Sequence, residues 1–172
     1  DAIQPVRTID TDRVSDVQKI MLRLACLELE PSGVSGAAVG VPPRWAVDKL
    51  HAAGIPCMNM IGSTRHVKKA LAAGMDIICA QGTEGGGHTG DTATSVLIPQ
   101  VCDLVKGKTS PLTGGPIHVV AAGGIYDGRG LAMALSLGAE GAWVGTAFIC
   151  AEESGAPPLH QPHHHRRQSL PT

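Results

Sequence analysis

Aromatic residues are nearly absent: two tryptophans, one tyrosine and one phenylalanine make up 2% of the 172-residue chain. So few rings offer no stacking platform for bases, and the basic residues are scattered, with a formal net charge of -1. That combination argues against a nucleic-acid partner. Cysteines in C-x-x-C spacing are missing too. Cys26, Cys57, Cys79, Cys102 and Cys150 are odd in number, far apart and mostly set among apolar neighbours. They read as reduced core thiols, as in a cytoplasmic protein. No apolar run reaches the roughly 20 residues of a membrane span. The opening residues, DAIQPVRTID, hold neither a hydrophobic signal region nor an initiator methionine. The expectation is an intracellular, soluble protein with no membrane partner, given as an incomplete chain.

What the chain does have is 22 glycines and 43% hydrophobic residues, enough for one core built from repeated, tightly turned units. From Thr11 to Leu29, Val14, Val17, Met21 and Leu24 recur at helical spacing, so residues 1–35 read as an N-terminal helical segment. GAAVGVPPR then reads as a short strand closed by Pro42 and Pro43, followed by a helix from Arg44 to Ala53. Two stretches repeat one plan: AAGIPCMNMIG (52–62) and AAGMDIICAQG (72–82) each run from a helix-ending Ala-Ala-Gly through a buried strand to a glycine. A helix before Gly107, with Val101, Leu104 and Val105 on its apolar face and Pro99 in its first turn, continues the series. PIHVVAAGG, GRGLAMALSLG and AEGAWVGTAFI add a strand, a helix and a strand.

Five strands are therefore predicted, near 36–41, 55–61, 75–80, 116–122 and 140–144. Buried strands alternating with helices make an α/β fold with a parallel sheet, open or closed into a barrel. In either case a ligand sits at the carboxyl ends of the strands. The end of the chain, residues 159–172, has no apolar period and reads as an unpacked tail. Adjacent His163, His164 and His165 cannot easily share one rigid tetrahedral site, so no metal is expected.

Three strand-end turns carry candidate chemistry. Gly123 and Gly124 stand where a strand hands over to a helix beginning near Asp127, a place where bare amides and the helix dipole can hold an anion. Gly145 and Thr146 end the next strand, and two adjacent glycine turns of this kind suit a phosphate. The run QGTEGGGHTGDT, residues 81–92, has three consecutive glycines that could wrap a planar ligand. His88 follows them, and an imidazole can take an acidic C–H proton. Glu84 reads as a solvated carboxylate, and His51, His66 and His118 receive no role.

Together, DIICAQGTEGGGHTGD, VVAAGGIYDGRGLAMALSLGAEGAWVGTAFI and VGVPPRWAVDKLHAAGIP resemble the nitronate monooxygenases, formerly 2-nitropropane dioxygenases, and most of all their fungal members. The resemblance runs from about Val39 to Pro158. It implies an FMN enzyme on a (β/α)8 TIM barrel that oxidises alkyl nitronates with dioxygen to a carbonyl compound and nitrite, without a metal. By the same resemblance His88 matches the catalytic histidine, and Gln81, Gly86 and the adjoining Gly87 match flavin contacts. Gly123 and Gly124, with Trp143, Val144, Gly145 and Thr146, match the part that holds the flavin phosphate and ribityl chain.

Residues 36–158 would then be a partial barrel carrying its last five β/α units, since a whole barrel takes about 250 residues. Sheet edges left open by the missing units imply self-association. The rival readings are an FMN-dependent enoyl-acyl-carrier-protein reductase, which would also need a nicotinamide, and an inactive remnant. An IMP dehydrogenase-like barrel is disfavoured because none of the five cysteines lies in a glycine-serine loop.

Overall fold

A computed structural model describes residues 34–38, 40–151 and 154–155. The helix predicted within residues 1–35 and the tail at 159–172 lie outside the described residues. The elements run β1 (Ser35–Ala37), α1 (Arg44–Ala52), β2 (Cys57–Ile61), a 3-10 turn (Thr64–His66) leading into α2 (Val67–Ala73), and β3 (Ile77–Gln81). Then come α3 (Thr94–Val105), β4 (His118–Ala122), α4 (Gly128–Ser136), β5 (Gly141–Trp143) and a closing 3-10 turn (Thr146–Cys150). No described helix is long and apolar enough to cross a membrane.

The strands form one sheet in the order β1-β2-β3-β4-β5, with every neighbouring pair parallel. A sequential parallel order with right-handed crossovers puts every helix on the same face, and the other face curls inward. This is the winding of a barrel; a doubly wound sheet would reverse its order at a switch point. Five consecutive units of a TIM barrel are thus in place.

Period two along the strands separates the faces. Cys57, Ile61, Ile78, Ala80, Val119 and Ala121 face the helices, in one core with Val47 of α1, Ala70 of α2, Leu97, Ile98 and Val101 of α3, and Ala134 of α4. Their alternates Met58, Cys79 and Ala122, with Met60, Ile77 and Val120, pack on the inward face. The helix stops follow from glycine: α2 ends at Gly74, whose φ of 92° suits the left-handed cap.

Two expectations are corrected. Leu104 does not join the core; it is 48% exposed, while Leu97, Ile98, Val101 and Val105 supply the buried stripe of α3. Pro99 lies inside α3, not in its first turn, because the helix starts at Thr94, further upstream than the proline suggested.

At the amino ends of the strands Asp76 is almost fully buried and joins several elements. Its carboxylate is paired with His51 Nε2 at 2.8 Å and accepts from Cys57 N–H at 2.7 Å, Ser110 Oγ at 2.6 Å and Leu112 N–H at 3.4 Å. Among the described residues, His51, Cys57 and Asp76 also offer metal-ligand atoms within 4.8 Å of one another. Four partners already fill the carboxylate's accepting positions, however. Burial, aided by the Asp76 charge, pushes the Cys57 thiol up to about 12, which makes it an inert core group.

Burial alone would raise the Asp76 carboxyl, but the bonds from Cys57, Ser110 and His51 outweigh it and hold the pKa below its ordinary value. The resulting stabilisation is complete above the unfolded-state pKa and is lost as pH falls through the lower folded value. Asp76→Ala is expected to destabilise the chain by about 3–5 kcal/mol, because buried donors lose their acceptor. Urea unfolding at neutral pH measures the loss, and a variant within 1 kcal/mol of wild type, on the order of surface effects, would contradict it.

Candidate functional site

A cleft of about 560 Å³ opens on the inward face at the carboxyl ends of the strands. Small-molecule sites commonly measure roughly 300–1,000 Å³ and occupy this end of a barrel. The floor follows from register: Gln81 lies opposite Ala122, and Ala122 opposite Trp143, so one inward-facing layer crosses three strands. Met60 of β2 and Ala38, just after β1, extend it with apolar surface. Asn59 steadies that side, its Nδ2 donating to Ala37 O at 3.0 Å and Gly40 O at 2.7 Å.

The turn after β3 forms one wall, and its three glycines have three separate reasons. A Cβ at Gly85 would come within 2.5 Å of the Gln81 amide, one at Gly86 would sit 3.1 Å from Thr146 Oγ1, and Gly87 has a φ of 82°. Gln81 secures the turn by donating from Nε2 to Gly86 O at 3.1 Å. His88 lines the cleft and is exposed. No side-chain hydrogen bond to another described residue immobilises its ring, so it is available to a ligand.

The adjoining wall is made by the turns after β4 and β5. Gly123 and Gly124 have φ of 97° and 71°, values open to glycine but strained for other residues. Their amides donate to no backbone carbonyl among the described residues. The helix dipole expected to assist them is differently employed: Asp127 caps α4, accepting from Gly130 N–H at 3.0 Å and pairing with Arg129 at 2.8 Å. An anion here would therefore meet turn amides in preference to the first turn of α4.

Gly145 is the informative glycine. Its φ of -110° is ordinary, and a Cβ built on it meets nothing within 4 Å. Nothing in the described fold requires glycine there, and Gly145 borders the cleft.

Gln81, Gly86, Gly87, His88, Gly123, Gly124, Trp143, Gly145 and Thr146 thus border one cleft. Val144, just after β5, is not among the lining residues, and its side chain packs against the main core. Sequence reasoning missed Met60 and Tyr126, which had no motif to mark them. It also read Glu84 as solvated. Glu84 instead caps α3, accepting from Thr94 N–H at 2.9 Å and Thr94 Oγ1 at 2.8 Å. Desolvation raises its pKa, but these bonds prevail and hold it below the ordinary value.

Among known proteins, the chain is 47% identical over 116 residues to a Rhodococcus jostii dehydrogenase whose name gives an octahydro-indene carboxyl-CoA as its substrate; the match takes in 67% of the chain and 30% of that protein. It is 40% identical over 136 residues to a Staphylococcus saprophyticus protein named "Probable nitronate monooxygenase", across 71% of the chain and 35% of that protein. A solved structure of nitroalkane oxidase from Streptomyces ansochromogenes superimposes with a TM-score of 0.68 at 34% identity, over 81% of this chain and 41% of that one. The chain spans about a third of the length of the curated relatives it matches. The family model for nitronate monooxygenase matches residues 5–169, nearly the whole sequence, and the cleft carries the turns by which the family was read; the chain belongs to the nitronate monooxygenase family.

Proposed function

We propose that this chain carries the catalytic histidine and much of the flavin site of an FMN-dependent nitronate monooxygenase, which converts alkyl nitronates and O2 to a carbonyl compound and nitrite. The observation that supports this most is convergence: the His88 turn, the Gly123–Gly124 turn and the Gly145–Thr146 turn all border one cleft. FMN fits the residues present. Free amides at two strand ends suit its phosphate, the open space over Gly145 suits its chain, and the apolar floor of Met60 and Trp143 suits a planar ring.

When bound, the flavin supplies the electron-transfer chemistry. The protein's residues do the rest. Gly123, Gly124, Gly145 and Thr146 would hold the phosphate end, while Gln81, Gly86 and Gly87 would border the ring. For a neutral nitroalkane, an imidazole nitrogen of His88 takes the proton from the carbon bearing the nitro group. The C–H bond breaks, an N–H bond forms, and the electron pair moves onto the nitro oxygens, leaving the nitronate. The imidazolium then stabilises that anion. Buried Cys57 and Cys79 fit a cytoplasmic setting, and exposed Leu131, Leu135 and Phe148 fit self-association.

The test is an absorption spectrum of the purified chain after mixing with FMN and desalting, followed by nitronate-dependent oxygen uptake. Retained flavin bands and nitrite release are expected. Protein emerging colourless would overturn the assignment for this chain. A second reading, oxidoreduction of an acyl thioester, draws on the carboxyl-CoA dehydrogenase relative at 47% identity. Turnover of an acyl-CoA by flavin-loaded protein, with no oxygen uptake on nitronate, would favour it.

A further inference from the structure

Thr94, the first residue of α3, is only 3% exposed and stands between the two turns that carry the chemistry. Its Oγ1 lies 2.8 Å from Glu84 Oε2, in the His88 turn, and 3.0 Å from the carbonyl oxygen of Gly123, in the anion turn. Its backbone N–H holds the same carboxylate independently, at 2.9 Å. One hydroxyl proton thus serves two acceptors on two loops. Packing around it is close. A Cβ at Gly82 would run into Thr94 Oγ1 and N. One at Gly123 would sit 2.9 Å from both Thr94 Oγ1 and Gly82 O, and one at Gly124 would sit 3.1 Å from Glu84 Cβ. Backbone bonds close the base of the turn, Gly82 N–H to Ala122 O at 3.0 Å and Thr83 N–H to Thr92 O at 2.9 Å.

We propose that Glu84 and Thr94 are positioning residues that lock the His88 turn to the Gly123–Gly124 turn, so that the proton-accepting group and the anion cradle keep a fixed separation. The two turns share no other side-chain hydrogen bond among those seen between described residues. Thr94 is already anchored in α3, so the link transmits the position of a rigid helix to both. The lock is a property of this fold; only its consequence for flavin binding rests on the function proposed above.

Hydrogen exchange on the whole chain tests it. Thr94→Val keeps the shape but removes the hydroxyl, cutting the Gly123 link and one of the Glu84 links. The hydrogen-bonded amides at the foot of the two turns, Thr83 and Gly85 in the first segment and Gly82, which donates to Ala122 O beside the second, should exchange about tenfold faster, the consequence of one net hydrogen bond lost. Thr94→Ser, which restores the hydroxyl, should return them to wild-type rates. Glu84→Ala, at an exposed position that cannot prevent core packing, should speed exchange at Thr83 and Gly85 while Thr94 Oγ1 keeps its bond to Gly123 O, and serves if the valine variant fails to fold. Wild-type exchange in either segment of the valine variant, or at Thr83 and Gly85 of the alanine variant, or a serine variant that behaves like valine, would overturn the lock.

FMN retention is read in parallel and should weaken about tenfold in Thr94→Val. Faster exchange in both segments with unchanged retention would support the lock and count against the cleft as the flavin site.

Discussion

Replacing His88 by asparagine is expected to lower turnover of neutral nitroalkanes by about 10²–10⁴-fold, the usual contribution of a positioned general base. Turnover of preformed nitronates should fall much less, because their proton is already gone and only the charge stabilisation is lost. Flavin retention and melting temperature should stay near wild type. His88 is exposed and bonded to no described residue, so its removal disturbs neither core nor wall. The comparison of the two substrates is the informative measurement. Equal loss on both would remove the base assignment and leave His88 as a group that binds the nitro function.

Gly145→Leu is expected to abolish FMN retention while leaving the fold intact. The backbone at φ -110° accepts any L residue, and the added Cβ has no neighbour within 4 Å, so the Cβ itself meets neither strain nor a clash. Gly145 borders the cleft, so a leucine there is expected to take space assigned to the ligand. This position separates binding from folding more cleanly than Gly123, where φ is 97° and a Cβ would strike Gly82 O and Thr94 Oγ1. Desalting after mixing with FMN, with a thermal melt as control, checks the result. Full flavin content in the leucine variant would mean that the ligand lies elsewhere, and a large drop in melting temperature would mean that Gly145 serves the fold after all.

Much of this was legible in the chain itself because its signals are local. The alternation of Ala-Ala-Gly stops with short apolar runs located β2 and β3 to within two residues, since a glycine cap and a buried strand each need only their own neighbours. The turns after β3, β4 and β5 were marked by glycine runs for the same reason. The roles of Glu84 and Asp76 were not legible. Glu84 acts on a backbone ten residues away, and Asp76 bonds to groups 19 to 36 residues distant, so nothing beside either residue announces its partner.

The sequence by itself determined that strands and helices alternate, that the central strands β2 and β3 are buried on both sides, and that the glycine turns lie at the carboxyl ends. Continuous apolar strands carry no mark of which face takes the helices, and strand order is a matter of contacts between distant segments. Tertiary structure therefore decided the rest. Sequential parallel pairing wound the units as a barrel; register put Gln81, Ala122 and Trp143 in one layer while turning Val144 to the core; and only then did three separate turns become the rim of one cleft.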